Sequence, residues 1–502
     1  MNTVRSLLLG TAAGLALAGG AQAADMPVKA KPVQYVKICT LYGDGFYYIP
    51  GTDICLKIGG YVRAEYGYGT PNGAQSLTNG PWASNSAYGD RVNGQDLTMR
   101  GRGYAWFDSR QQTEYGTLRT YLQLGVNYDS PASTTTSFSA NRAFIQFAGF
   151  TIGTAQSFYD FYSSPASSYI TTYPQSDTGD PGWKVFAYTA QFGNGVSATV
   201  SIEEPRNYGT AVDNTGGIIN TNLGNLVLGS NAPDADRAKE RFPDIVSNWR
   251  VDQAWGSAQV MFAAHDASGG YYASAVGGTL TGSEVLGHPA DKLGWAAGAG
   301  TKINTFGGDY FQIQGNYTQG ALRYAAFTMG GAFSPTSFDG GNLAYGFVSD
   351  GVYSLTTGDI QLTTAVSIQA GYEHFWRPDL RTSLYGGWGG VRYNSTANTA
   401  ICSAQTTFTA GTLNFTAPGA SGLPSCNNNF NWWGIGSRTQ WNITPWFYVG
   451  FDALYTRLES ASSGAVVFFT PAAGIAKPAA LYTIQNQDNW QFRVRVHRDI
   501  VP

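Results

Sequence analysis

Arginine residues recur at alternate positions in several apolar stretches of this sequence, a spacing at which charges line one face of a β-strand. The segment "NWQFRVRVHRDI" (489–500) puts Arg493 and Arg495 on one face. Its opposite face carries Phe492, Val494 and Val496. The same alternation assigns further arginines to polar faces, namely Arg63, Arg100, Arg102 and Arg119. Guanidinium groups stay charged at any relevant pH and are costly against lipid. We therefore predict that these arginines form the basic wall of a water-filled lumen.

Three aspartates in one long polar stretch are candidates to oppose that wall. The stretch "SFYDFYSSPASSYITTYPQSDTGDPGW" (157–183) contains Asp160, Asp177 and Asp180. If it folds inward, it narrows the lumen, and the field between acids and arginines orders water and orients dipolar solutes. The alternative is that these aspartates are solvated loop residues or, for Asp180 before Pro181, a turn former.

Residues suited to catalysis are sparse. The sequence has 4 His, and none lies in a G-x-S-x-G or H-E-x-x-H context. Phosphate loops, dinucleotide fingerprints and C-x-x-C zinc pairs are absent from it. We predict no enzyme, no cofactor and no metal site. A Ser/His/Asp site assembled in space, as in a barrel lipase, stays open as an alternative.

The charged positions lie in segments that alternate between polar and apolar residues, which is typical of strands with two chemically different faces. Many segments are near the length that a tilted strand needs to cross a membrane. The predicted spans are 56–68, 97–108, 116–128, 141–148, 150–157, 183–193, 195–204, 243–252, 255–265, 291–303, 310–317, 360–374, 380–393, 431–443, 446–456 and 489–499.

Links between these segments are alternately short and long, which indicates an all-β transmembrane antiparallel barrel of about sixteen strands. Short turns such as "GNG" and "NITPW" would be periplasmic, and the long polar links external. Aromatic residues near predicted strand ends would form girdles at the membrane interfaces. They are Tyr66, Tyr68, Trp432, Trp433, Trp441, Trp446 and Trp490.

Composition and the N-terminus fit this class. Only 13% of residues are charged, and the net charge of −3 argues against a nucleic-acid partner. Residues 1–23 have an early cation, an apolar run and a final Ala-Gln-Ala triplet, which predicts a secretory signal peptide. A transmembrane anchor is the alternative, but the run is too short. We expect the segment 24–55 to precede a barrel over 56–502.

The 4 Cys of this exported chain predict two local disulfides. Cys39 and Cys55 bracket one turn-rich stretch, and Cys402 and Cys426 bracket a polar one. Pairing 39–55 and 402–426 is the simplest arrangement in an oxidising compartment.

Several stretches resemble the alphaproteobacterial general porins. They are "ADMPVKAKPVQYVKICTLYGDGFYYIPGTDICLKIGGYVR", "RAFIQFAGFTIGTAQSFYDFYS", "FAYTAQFGNGVSATVSIEE" and "FRVRVHRD". The resemblance implies a homotrimeric sixteen-stranded barrel that passes small hydrophilic solutes and ions passively. It also implies that the third external loop enters the lumen as the constriction, here about residues 158–182.

We therefore predict a passive diffusion porin of the bacterial outer membrane, surrounded by lipid and lipopolysaccharide. The alternatives are a channel specific for sugars or peptides, or a barrel that acts as an adhesin or receptor. A specific channel would need a track of lumen aromatics, for which Tyr61, Tyr104, Trp106 and Tyr121 are candidates.

Overall fold

The fold is described from a computed structural model. It describes residues 37–70, 97–130, 136–179, 182–206, 218–220, 241–269, 274–276, 279–281, 287–325, 336–353, 358–404, 413–421, 426–469 and 478–501.

Sixteen long strands, β1–β16, form a closed antiparallel barrel, which confirms the predicted fold class. In chain order they are Cys55–Thr70, Leu97–Thr113, Gly116–Ser130, Thr136–Phe147, Phe150–Ala155, Trp183–Gly193, Val196–Glu203, Asp244–Gln253, Gly256–Asp266, Leu293–Asn304, Tyr310–Gln319, Thr364–Arg377, Leu380–Arg392, Phe430–Thr444, Phe447–Glu459 and Gln487–Val501. Each strand pairs with the next along the chain, and β16 closes the barrel against β1. Closure leaves no unpaired sheet edge, as a membrane requires of a β-structure.

Each predicted span overlaps one of the sixteen barrel strands, and the predicted and observed bounds differ only at the strand ends. β4 begins at Thr136, ahead of the predicted residue 141, so the link before it is short. β12 begins at Thr364 because Gln361–Leu362 forms a separate two-residue strand.

The two faces of the wall differ as the alternation predicts. On β16, Val494 is 43% exposed on the outer surface, whereas the neighbouring Arg493 is only 8% exposed inside. Trp433, Trp441, Trp446 and Trp490 face outward near strand ends, as interfacial girdles require. The assignment of Trp432 to a girdle is wrong. This residue is 2% exposed, because it points inward at the external end of β14.

The remaining elements lie in the links. In the part of the chain that the structure describes, the helical elements are two α-helices, Ser164–Ser167 and Ser395–Ala404, and three 3₁₀ turns, Thr40–Tyr42, Phe306–Gly308 and Leu322–Tyr324. The other short strands within the described ranges are Tyr47–Tyr48, Ile218–Asn220, Ser274–Val276, Thr279–Thr281, Thr336–Asp339, Asn342–Tyr345, Gly351–Tyr353, Leu413–Asn414, Val466–Phe469 and Ala480–Ile484. Among the described residues, none of the helices has the length and apolarity needed to span a membrane.

Three long links build a cap at the external end of β11–β16. Strands from 320–363, 393–429 and 460–486 join in one five-stranded sheet. Its hydrophobic cluster includes Ile401, Phe415, Phe469 and the inward Trp432. The predicted disulfides are both present: Cys402–Cys426 lies in this cap, and Cys39–Cys55 ties the segment before β1 to the start of that strand.

Candidate functional site: the inner loop and the basic wall

In the link between β5 and β6, the described residues 156–179 fold into the barrel and are called the inner loop here. Its outgoing leg (156–170) runs along the wall from β8, where Asn248 Nδ2 donates to the Phe158 carbonyl at 2.6 Å, to β15. Its returning leg (171–179) starts at β16, where Thr172 Oγ1 donates to Gln491 Oε1 at 2.5 Å. The leg ends at β4, because Arg142 Nη2 donates to the carbonyl of Gly179 at 2.9 Å. The inner loop thus lies flat against roughly half of the inner wall.

Small inward residues of the wall make room for the loop's aromatic rings. Phe161 occupies the space where a Cβ on Gly300 of β10 would lie, and Tyr169 does the same at Gly450 of β15. A ring this close to a strand backbone excludes any side chain at that position. The glycines therefore determine where the loop can rest.

Tyr169 joins the loop to several charged groups of the wall. Its backbone N–H donates to Asp452 Oδ2 at 2.5 Å, and its carbonyl accepts from Arg493 Nη1 at 2.5 Å. The guanidinium carbons of Arg438 and Arg495 lie 5.3 Å and 4.0 Å from the centre of its ring. These cation–π contacts and charge-assisted hydrogen bonds are among the stronger polar interactions in proteins. Arg493 and Arg495 therefore lie behind the loop, buried in the wall.

The structure places two of the three predicted acidic residues inside the inner loop. Asp160 is buried, with its Oδ1 2.8 Å from Arg206 Nη2. Asp177 is also buried and accepts from the backbone N–H groups of Ser164, at 3.2 Å, and Gly179, at 2.8 Å. Burial raises the pKa of Asp177 to about 7, the charge of Asp160 adds to this rise, and the backbone donors oppose it. Asp180 lies outside the described residues.

The arginines of β1–β3 form the part of the basic wall that stays half-exposed. Arg63 Nε donates to His497 Nδ1 at 3.3 Å, and Arg102 Nε donates to Asn127 Oδ1 at 2.5 Å. Arg119 is 27% exposed. Arg100 differs, because its side chain is only 4% exposed and pairs with Asp129 at 2.5 Å.

Two carboxylates, Glu65 and Asp108, also lie on the polar faces of β1 and β2 and pair with arginines of this wall. Glu65, directly opposite Arg495 in the register of β1 and β16, lies 2.6 Å from its guanidinium. Asp108 forms ion pairs with two arginines, Arg110 at 2.8 Å and Arg119 at 2.9 Å. Period-two reasoning could have found both pairs. Arg206 carries no such signal, because it lies in an irregular link.

A closed sixteen-stranded barrel with a charged lumen and an inner loop defines the class of channel-forming outer-membrane barrels. Within that class the chain belongs to the porin family whose profile, described as "Porin subfamily", matches residues 25–492.

Known proteins that are similar to this chain agree with this family assignment. It is 28% identical over 405 residues to the porin Omp2b of Brucella suis, covering 77% of this chain and 98% of the relative. It is 35% identical over 233 residues to the porin Omp2a of Brucella ovis, covering 42% of this chain and 61% of the relative. The solved outer membrane channel DcaP of Acinetobacter baumannii shares the fold, with a TM-score of 0.55 at 12% identity, over 90% of this chain and 99% of that one.

These comparisons confirm the predicted family, the alphaproteobacterial general porins. The protein is an outer-membrane porin that forms a channel for passive diffusion.

Proposed function

We propose that small hydrophilic solutes and ions cross the membrane between the inner loop and the wall of β1–β3, and that the arginines of this wall set the ion preference. One observation carries the proposal. The inner loop is held by β7–β16 and β4, so the half-exposed arginines Arg63, Arg102 and Arg119 face the side of the lumen left open.

The charges of the open side favour anions. Among the described residues of β1–β3, Arg63 donates to His497, and two arginines, Arg110 and Arg119, share the single carboxylate of Asp108. Positive charge in a narrow aqueous passage raises the local concentration of anions. We therefore propose a preference for small anionic solutes over cationic ones of equal size.

Two of the three aspartates predicted for the acidic side of the constriction need a different role. Asp160 and Asp177 are buried within the loop, where their carboxylates order its two legs. We propose that they fix the shape of the constriction and that Asp180 remains the candidate acidic group of the passage itself.

Planar lipid bilayers test this function directly. The folded protein should give stepwise conductance with little dependence on solute identity and a reversal potential that favours chloride over potassium. Folded protein without conductance would overturn the proposal of a diffusion channel. Conductance that favours potassium would overturn only the role of the arginines.

A substrate-specific channel is the second candidate, favoured by a cluster of aromatic rings on the open side. Tyr61 stacks on Tyr104 with ring centres 5.1 Å apart, and Trp106 lies 6.3 Å from Tyr61. Arg63 lies over the Tyr61 ring at 4.6 Å. A solute with a flat face and an anionic group would find both partners here. Saturable block of conductance by one such solute would favour this candidate over general diffusion.

Three further parts of the proposal concern partners and chemistry. We propose that three copies associate through their apolar outer faces, in contact with lipid and lipopolysaccharide, and that the channel catalyses no reaction. Cross-linking in native membranes should give a trimer. Purified folded protein should hydrolyse a lipase ester substrate no faster than buffer.

A further inference from the structure

The two legs of the inner loop meet at one arginine that belongs to a different link. Arg206 follows β7 and is fully buried. Its Nη2 donates to Asp160 Oδ1 on the outgoing leg at 2.8 Å, and its Nη1 donates to the carbonyl of Ser176 on the returning leg at 3.0 Å. A planar guanidinium is suited to this task because its donors point in fixed directions.

Asp160 completes the connection between the legs. Its second oxygen, Oδ2, accepts from the backbone N–H of Thr178 at 2.9 Å and from the Thr178 hydroxyl. The carboxylate thus contacts Arg206 on one side and the returning leg on the other. Because the ion pair is buried, neither charge has water to replace its partner.

Arg206 is itself fixed by the wall and by a second external link. Its backbone N–H donates to Asp244 Oδ2 of β8 at 3.0 Å, and the Tyr324 hydroxyl donates to the same oxygen at 2.6 Å. The Tyr324 ring lies 4.5 Å from the guanidinium carbon. His265 Nδ1 of β9 lies 2.7 Å from Asp244 Oδ1. Arg206 is therefore held rigidly where the loop joins the wall.

The outgoing leg has a separate anchor close to its start. Glu203 accepts from the Ser157 hydroxyl at 2.5 Å and from the backbone N–H of Phe158 at 3.0 Å. Apart from Arg206, the described residues of the wall hold the end of the returning leg, from Ser176 to Gly179, through neutral acceptors: Gln314 Nε2 and Gln369 Nε2 donate to the Ser176 hydroxyl at 2.7 Å and 3.3 Å, and Arg142 donates to the Gly179 carbonyl. Loss of Arg206 should therefore release the returning leg first.

We propose that Arg206 is the positioning residue that clamps the two legs of the inner loop together and so keeps the passage at a constant width. The inference rests on the proposed function, because the loop matters for permeation only if the lumen conducts. Without the clamp the returning leg opens locally, as weakly anchored segments of a stable fold do. In a narrow passage each such movement interrupts or changes the current.

Single-channel recording of the wild type, Arg206→Ala and Arg206→Lys tests the clamp. We expect brief closures to become on the order of tenfold more frequent in Arg206→Ala. Arg206→Lys should fall between the two, because one ammonium cannot hold both legs as a fork does. Arg457→Ala is the matched control, since Arg457 pairs with Asp488 on the outer surface, and it should behave as wild type.

Thermal unfolding of the barrel separates positioning from folding. The clamp predicts that folded Arg206→Ala closes more often while its barrel unfolds close to the wild-type temperature. If Arg206→Ala does not fold, the double variant Arg206→Met with Asp160→Asn removes both buried charges and should show the same closures. If the wild type conducts and a folded Arg206 variant closes no more often than the wild type, the clamp is overturned and the proposed function stands. A folded wild type that does not conduct would overturn the proposed function.

Discussion

The ring of Tyr169 lies against the backbone of Gly450, in the space that any other residue would need for its Cβ. Tyr169 belongs to the inner loop and Gly450 to β15, residues separated by most of the chain. The contact holds the tip of the loop on the wall, where Tyr169 also covers Arg438 and Arg495. A glycine in an inward position thus has a steric role that its small size makes possible.

Substitution of Gly450 by leucine should narrow the channel. The new side chain displaces the Tyr169 ring away from the wall, and the loop moves toward the open side of the lumen. We expect single-channel conductance to fall by roughly one third, an order-of-magnitude figure for a close-packed contact that cannot absorb the added volume. Gly101→Leu is the control, because a Cβ at Gly101 meets no neighbouring atom within 4 Å. Equal conductance in both variants would show that the loop does not rest on Gly450.

Neutralising the half-exposed arginines should move ion preference toward cations. Arg63 and Arg102 lie opposite each other in the register of β1 and β2. Replacing both by glutamine removes positive charge from the open side while leaving the Arg100–Asp129 pair intact. Under a tenfold KCl gradient we expect the reversal potential to shift by on the order of 10 mV. Arg377→Gln, in an exposed turn pair with Asp379, should leave it unchanged.

The barrel could be predicted because a wall between water and lipid forces every strand to alternate. The run from Phe492 to Val496 shows the effect, since each of its arginines faces inward and each apolar residue outward. The start of β4 was missed because "TSFSAN" (136–141) contains small polar residues without a regular alternation. A register shift opposite Gln123 and Leu124 disturbs the pattern there as well.

The site could be predicted only where it lies on strands. Alternation placed Arg63 and Arg495 inside, and strand closure brought their strands together. Contacts between irregular links carry no periodic signal, so the pair of Arg206 with Asp160 could not be found from spacing. Asp160 is buried because it pairs with Arg206. Since this pair could not be predicted, the sequence suggested that Asp160 is an exposed acid.

Loss of the buried pair between Glu65 and Arg495 should destabilise the seam between β1 and β16. Glu65 is 1% exposed, and Glu65→Gln leaves the guanidinium of Arg495 buried beside Arg493 without its carboxylate. We expect a loss of about 3–5 kcal/mol in the free energy of unfolding, measured by urea unfolding in lipid vesicles. Glu65→Gln with Arg495→Met should recover much of this loss.

An exposed pair provides the comparison for that measurement. Arg250 and Asp252 are 2.8 Å apart, with side chains 38% and 53% exposed. Asp252→Asn should cost no more than about 1 kcal/mol, since water screens exposed ion pairs. A similar cost for Glu65→Gln would mean that the seam does not depend on its buried charges.

Removal of the Cys402–Cys426 disulfide should loosen the external cap and leave conduction intact. The bond connects the helix Ser395–Ala404 to the residues before β14, and Ile401 of that helix lies in the cap cluster. A disulfide typically contributes about 2–4 kcal/mol, so Cys402→Ala with Cys426→Ala should speed proteolysis of the cap. Conductance should match that of the wild type. A large change in conductance would instead make the cap part of the permeation path.

The protonation of Asp177 should make the inner loop more stable in acid than in base. Burial raises the pKa of Asp177 to about 7 from an ordinary value of 3.8. The charged and titratable groups that interact with this carboxyl include Asp160, which pairs with Arg206, and the phenols of Tyr162 and Tyr173. The Asp177 carboxyl of a released loop would bind its proton less tightly than it does in the docked loop. Docking is therefore favoured most below pH 3.8, and this stabilisation is lost as the pH rises toward about 7.

Recordings at pH 5 and pH 8 check this dependence. We expect brief closures to be more frequent at pH 8 in the wild type, because ionised Asp177 is unfavourable in the docked loop. Asp177→Asn keeps the size of the side chain without the titration, so its closure frequency should be nearly equal at the two pH values. Asp379→Asn in an exposed turn serves as the control and should keep the wild-type difference. If Asp177→Asn also keeps that difference, another group controls the docking of the loop.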